Sequence, residues 1–510
     1  MTEFHTTGTQ GLHGGSPPDP CVVVIFGASG DLAGRELIPA LFELERYQLL
    51  PERFAVIGFS RTDWSDDEFR NAMREKAKRH CAFDDALWQT FAPRLHYLSG
   101  NFDSPPDQDY ERLAKTLEGV RAEQEIADNV LFHLATPPSF FEVIAERLAG
   151  AGIARSAGGW RRIVIEKPFG MDETSSRELN AAITRVFDED QVYRIDHFLG
   201  KETVQNMLVF RFANPSFEPI WNRNYIDHVQ VTVAEDIGIG TRAGFYEQTG
   251  VVRDMVQNHL LQLLCMTAIE PPGCLDGTAL RDETAKVLDA IRDVDLGGDC
   301  VGGQYGPGEI AGAPVPGYRS EDGVAEDSVT PTYAAVRLMI DNWRWAGVPF
   351  YLRTGKRLAS RLTEVAIQFK PTPHLMFPVD QSALESNVLV FRLQPGEGIV
   401  QRFLAKQPGP GLEIQPVEMS FGYAQAFGMT ELPPAYAWLL LDAMQGDQTL
   451  FARADWIFRA WRIVDPIVSH WEAESRTPPS YPAGSEGPDA AKALLERDGR
   501  AWRSLKIPDR

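Results

Sequence analysis

The chain has 510 residues and a formal net charge of -21, with 44% hydrophobic and 24% charged residues. That length exceeds one ordinary core, and at roughly 100–200 residues per domain it predicts two large domains. An acidic field of this size excludes a nucleic-acid surface, which needs a basic face, and no window approaches the roughly 20 apolar residues that cross a bilayer.

Residues 1–20, MTEFHTTGTQGLHGGSPPDP, lack the basic start and apolar run of a signal peptide and read as a flexible leader. Cys21, Cys81, Cys265, Cys274 and Cys300 have neither metal-ligand spacing nor an even disulfide framework, so a reduced cytoplasm and no metal are expected. Val22 to Phe26 is an apolar, β-branched run of the kind a buried parallel strand shows. Gly27, Gly30 and the small Ala33 then lead into a helix whose Leu37, Ala40, Leu41 and Leu44 recur at i, i+3, i+4 and i+7. Strand, glycine turn and helix in this order let the backbone approach a pyrophosphate at the helix start. A glycine turn alone is equally a structural turn. A second apolar run, Phe54 to Phe59, ends at Ser60 and Arg61, where an NAD-binding fold presents an acid to the ribose. Arg61 pairs instead with a 2′-phosphate, which favours NADP over NAD; a solvated loop arginine is the other reading.

Alternation continues with a strand from Val130 to Ala135, a helix through FFEVIAERLAGAG, and a strand from Ile163 to Ile165 that ends at Glu166, Lys167 and Pro168. Lys167 therefore stands at a carboxyl strand end, where open sheets bind ligands, although a surface lysine fits the same pattern. In RIDHFLGKETVQN an acid, an imidazole, an aromatic ring and an ammonium precede a helix carrying Val204 and Leu208 one turn apart. His197, Lys201 and that helix start suit a phosphate dianion. Asp196 would repel the anion, so it is better explained as orienting a histidine elsewhere.

The candidate is His259, at the edge of a helix face marked by Val256, Leu260, Leu263, Leu264 and Thr267. Alone it is more often a satisfied core histidine, but Arg253, Asp254, Gln257 and Asn258 add polar groups that a structural helix seldom needs. Asp254 and His259 are five apart, about 140° around an α-helix, and so are not stacked. The Gly- and Pro-rich stretch from Arg292 to Ser328 reads as a long loop.

The segments GASGDLAGRELIPAL, EKPFG, RIDHFLGKETVQN, VTVAED, RDMVQNHLLQ and VTPTYAAVRLMIDNWRWAGVPFYLRTGK, in that order, resemble the glucose-6-phosphate dehydrogenase family. The resemblance implies an α/β Rossmann-type domain over 21–198, then an α+β domain over 199–510 with a large, mainly antiparallel sheet and a loosely ordered tail from about 475. It also implies oxidation of glucose 6-phosphate at C1 to the 6-phosphogluconolactone with hydride transfer to NADP, NAD being the weaker alternative, as the first step of the oxidative pentose phosphate pathway. His259 then resembles the general base for the C1 hydroxyl, and Asp196 the carboxylate that stabilises its imidazolium. His197, Phe198 and Lys201 correspond to the phosphate site, with Arg361 beside it. Lys167, Glu235, Asp254 and Lys356 correspond to residues that hold sugar hydroxyls, Lys167 also lying near the nicotinamide. Gly27, Ala28, Ser29, Gly30, Asp31, Leu32, Ala33 and Arg61 match the coenzyme site. The family's sheet forms a homodimer interface, so a homodimer or a dimer of dimers is expected, with no membrane or nucleic-acid partner.

Two departures stand out. Phe198 occupies a position where the family usually has tyrosine, and Gly34 and Glu36 occupy positions where lysines are common. They leave open a dehydrogenase for another aldose or sugar phosphate, and a catalytically silent NADP-binding sensor or scaffold.

Overall fold

The computed structural model describes residues 17–103, 108–378, 384–428, 432–474 and 477–506, so most of the expected leader lies outside the described residues. The chain forms two compact units. The first comprises Met1–Lys201, Pro272–Glu283 and Pro433–Phe458, and the second Glu202–Pro271, Thr284–Leu432 and Arg459–Arg510. Two later segments thus rejoin the first unit, a difference from the simple division at residue 198. Hydrophobic periodicity reports that the helix Ala435–Gln445 has something to bury, not which core receives it. Here it packs on the helix Ile38–Arg46 of the first unit.

The first unit is built on six parallel strands: β1 (Cys21–Phe26), β2 (Phe54–Ser60), β3 (Leu95–Ser99), β4 (Val130–Leu134), β5 (Arg161–Ile165) and β6 (Val192–Arg194), in the order β3-β2-β1-β4-β5-β6. Every residue of β1, β2 and β4 is buried, which is why these strands are continuous apolar runs rather than alternating ones. Strand order reverses between β1 and β4, and that switch point opens a crevice beyond their carboxyl ends. Gly27 and Lys167 follow β1 and β5 at that same end.

The second unit carries a nine-stranded mixed sheet. Its strands are β7 (Ile226–Ala234) and β8 (Cys300–Gly306), then, past a two-stranded ribbon of β9 (Gly308–Ile310) and β10 (Ala313–Val315), β11 (Tyr333–Met339), β12 (Pro349–Gly355), β13 (Leu362–Phe369), β14 (Val388–Gln394), β15 (Gly398–Lys406), β16 (Ile414–Gly422) and β17 (Ser480–Pro482). The order is β16-β15-β14-β13-β7-β12-β11-β8-β17, antiparallel throughout except for the pairs β7 with β12 and β8 with β17.

Two sequence expectations are corrected here. The stretch expected to be a long loop contains β8 to β10 and buries Tyr305 and Tyr318, whose hydroxyls donate to Glu321 and Glu247. Gly308 serves close approach: a Cβ there would meet the Ala483 carbonyl oxygen at 2.2 Å. The expected loose tail is likewise anchored over its described residues, 477–506. Tyr481, Leu495 and Leu505 are fully buried, and Ala501 and Arg503 bond through their backbones to the Gln230 side chain on β7.

Candidate active site

In the first unit the coenzyme turn is fixed by its backbone. Gly27 has a φ of +84° and donates to the Phe59 carbonyl at 2.8 Å, and a Cβ there would stand 2.3 Å from the Ala135 carbonyl oxygen. Only glycine joins β1 to β4 so closely while leaving its own carbonyl to accept from Gly30. Ala28 is buried against Gly58 of β2. The Thr62 hydroxyl donates to Ser29, which bonds Ser60, both at 2.8 Å, locking the turn to the end of β2. Asp31 and Leu32 open the helical stretch, Ala33 to Leu37 form a π turn, and Ala33 and Leu37 are buried. Arg61 is exposed just past β2, and the Glu36 carboxylate is paired with its neighbour Arg35.

Lys167 follows β5, and two residues the sequence pattern missed, His133 and Tyr436, help set that segment. Glu166 bonds the buried His133 through one oxygen and accepts the Tyr436 hydroxyl on the other, both at 3.1 Å. Burial, and then the Glu166 carboxylate, hold the Tyr436 phenol well above its ordinary pKa, so it stays a donor. The same Tyr436 ring stacks parallel to His197 at 6.4 Å. Residues 197–200 form a turn in which the Asp196 carboxylate accepts from the Phe198 N–H at 3.0 Å. The buried Phe198 ring meets His197 edge-on, and the Lys201 ammonium lies 4.1 Å above its centroid. Gly200 permits the turn, since a Cβ there would meet the Ala435 carbonyl oxygen at 2.6 Å.

In the second unit β7 and β12 run parallel and end in Glu235 and Lys356, whose side chains pair at 2.8 Å. The Lys356 ammonium also lies 5.2 Å from the centroid of Tyr246, a fully buried ring, and its carbonyl accepts from Tyr481 at 2.7 Å. Neither tyrosine was legible as a site residue, because aromatic residues at such spacings are ordinarily core. Packed on β7 and β12 is a π-helix, Val252–Leu260, entered through Gly250 at a φ of +57° and continued by the α-helix Leu261–Ala268. It corrects the angular expectation: with i→i+5 bonding, residues five apart lie about one turn apart, so Asp254 and His259 share a face. Both are buried, as are Gln257 and Asn258, so Arg253 is the one residue of the helix that reaches toward solvent. The Asn258 side chain accepts from the His259 N–H at 2.6 Å. Arg361 is exposed immediately before β13.

Models of two families match: the NAD-binding domain of glucose-6-phosphate dehydrogenase over residues 24–206 and the C-terminal domain of the same enzyme over 208–503. Glucose-6-phosphate 1-dehydrogenase 2 of Mycobacterium tuberculosis is 47% identical over 489 residues, covering 95% of this chain and 94% of its own. The glucose-6-phosphate 1-dehydrogenase of Aggregatibacter actinomycetemcomitans is 47% identical over 486 residues, with coverages of 95% and 97%. Among solved structures, a glucose-6-phosphate dehydrogenase in complex with its substrate glucose-6-phosphate matches with a TM-score of 0.88 and 36% identity, over 96% of this chain and 99% of its own. The enzyme from Mycobacterium avium matches with a TM-score of 0.81 and 38% identity, over 97% and 100%. A glycine turn fixed at the end of β1, paired Glu235 and Lys356, and a π-helix bearing Asp254 and His259 are thus carried by a chain that belongs to the glucose-6-phosphate dehydrogenase family.

Proposed function

We propose that the protein oxidises D-glucose 6-phosphate at C1 to 6-phospho-D-glucono-1,5-lactone with NADP as hydride acceptor. The observation that carries this reading is the cradle of the second unit, where Glu235, Lys356, Asp254 and His259 all project from β7, β12 and the π-helix packed on them. Paired opposite charges together with a buried carboxylate offer donors and acceptors to sugar hydroxyls, and a buried imidazole on the same helix as that carboxylate is suited to a proton. Histidine is the side chain most often used as a general base near neutral pH. His259 removes the C1 hydroxyl proton, and Asp196 stabilises the resulting imidazolium. His197 and Lys201 hold the phosphate with Arg361 nearby, while Lys167, Glu235, Asp254 and Lys356 hold the sugar hydroxyls.

The residues of the turn fit a dinucleotide, since glycine at position 27 lets β1 pass tightly against the Ala135 carbonyl into a turn that opens a helix, the arrangement that receives a pyrophosphate. NADP would supply the hydride acceptor; Gly27 to Ala33 would hold its pyrophosphate, Arg61 would pair with its 2′-phosphate, and Lys167 would serve the nicotinamide end. Such chemistry belongs to the first step of the oxidative pentose phosphate pathway in the cytoplasm; no helix among the described residues is long and apolar enough to cross a membrane.

The test mixes purified protein with glucose 6-phosphate and NADP or NAD, follows reduced-nicotinamide absorbance, and repeats this with His259→Asn. Loss of a positioned general base costs about 10²–10⁴-fold in rate, and a drop of that size in kcat, with NADP binding retained, is expected. Absence of turnover in a wild type that binds NADP would favour the silent sensor.

A further inference from the structure

The coenzyme turn has a charge problem. Asp31 and Glu36 are both paired with Arg35, at 3.2 and 3.1 Å. Two carboxylates against one guanidinium leave one negative charge at a helix opening that has to receive phosphate. Lys76, on the helix Asp66–His80, answers it. Its ammonium donates to the Gly30 carbonyl at 3.3 Å, inside the turn. Its stem crosses Gly34 so closely that a Cβ there would stand 2.0 Å from Lys76 Cδ and 2.9 Å from Nζ. Lys76 makes no ion pair among the described residues, whereas Lys78 on the same helix bridges Glu75.

We propose that Lys76 is a coenzyme-binding residue, delivering its ammonium to a phosphate of the dinucleotide through the gap that glycine at position 34 leaves open. The inference rests on the reading of Gly27 to Ala33 as the dinucleotide site, and adds a cation that no pattern within that turn contains. A carbonyl oxygen is a weak terminus for an ammonium that can instead meet an anion, because a charge-assisted bond to an anionic partner is roughly twice as strong as a neutral one. Solvent exposure at the turn limits the effect to a modest factor.

The experiment titrates NADP and NAD against wild type, Lys76→Ala, Lys76→Arg, Gly34→Ala and the Gly34→Ala/Lys76→Ala double variant, reading the coenzyme Kd by calorimetry at low and high salt. Lys76→Ala is expected to bind about fivefold more weakly at low salt, with a smaller difference at high salt, and Lys76→Arg to bind as wild type does. Equal losses for NADP and NAD place the ammonium at the pyrophosphate, and a loss confined to NADP places it at the 2′-phosphate; either supports the proposal. Gly34→Ala displaces the lysine stem, so it weakens binding by itself but adds nothing to Lys76→Ala, since coupled sites are not additive. An unchanged Kd in Lys76→Ala, or additive losses in the double variant, would overturn the proposal. A wild type that binds neither coenzyme would remove the dinucleotide site itself, an outcome distinct from a wild type that binds and a Lys76→Ala that binds equally.

Discussion

Phe198 shows how one side chain can keep a site assembled while leaving out a contact. Its ring supports the Lys201 ammonium from below and meets His197 edge-on, and His197 in turn stacks on Tyr436. The two side chains proposed for the substrate phosphate are therefore flanked by aromatic rings, with no hydroxyl at position 198 to bond the phosphate. A hydrogen bond to a charged group contributes about 1.5–3 kcal/mol, which is about tenfold or more in affinity. Phe198→Tyr keeps the ring and adds a donor, so KM for glucose 6-phosphate is expected to fall about tenfold with kcat little changed. Steady-state kinetics of the two proteins decide it: an unchanged or higher KM would mean that the para position faces away from the phosphate. Asp196, His197 and Lys201 could be singled out in the sequence because their chemistry is improbable for packing. Tyr436 could not, being more than two hundred residues away and of a type that cores use freely.

At the scale of elements, the parallel strands and their glycine turn were legible because continuous apolar runs and a Gly-x-x-Gly spacing have direct local causes. The π-helix was not. Its residues keep an apolar stripe compatible with an α-helix, and the wider turn arises from packing on β7 and β12, which no local pattern reports. The C-terminal strap was illegible for a similar reason: Gly, Pro and Ser suggest a loose tail, but its order comes from partners distant in sequence. Arg500 bonds the Asp227 carboxylate at 2.8 and 3.0 Å, Trp502 stacks on the Arg353 guanidinium, and Arg503 pairs with Glu364. Burial by itself would raise the Asp227 pKa, but hydrogen bonds from His228 and Arg500 outweigh it and hold the carboxyl well below its ordinary value. A depressed folded-state pKa contributes stability above the unfolded value of about 3.9 and loses it as pH falls toward the folded one. Arg500→Met is accordingly expected to lower the thermal midpoint by about 2–4 °C at pH 7, and the gap to the wild type should narrow below about pH 4. A gap that stays constant through the acid range would show that the strap is held by packing and not by this ion pair.

At the scale of the whole molecule, the nine-stranded sheet ends in β16, an edge that no further strand among the described residues covers. On one face of its last strands, Phe391 of β14 is buried against Phe210 and Trp221, but its neighbours in register continue outward past that cover. Ile399 and Phe403 of β15 are half-buried, opposite Phe421 and Val417 of β16, and on β16 Val417 is 38% and Met419, opposite Gln401, 56% exposed. An apolar sheet face continuous with the core, on a nine-residue edge strand with free backbone groups, is an aggregation hazard unless another surface covers it. A second copy presenting the same face would cover it in the self-complementary way that two-fold dimers do, and a dimer is what the family resemblance implies. Light scattering is expected to return twice the chain mass, or four times if dimers pair. Lysines at two facing apolar positions would bury unpaired like charges, so Val417→Lys/Met419→Lys should shift the protein to the mass of one chain. Retention of the wild-type mass by that variant would place the interface on another surface and leave the exposed face of β15 and β16 without its proposed cover.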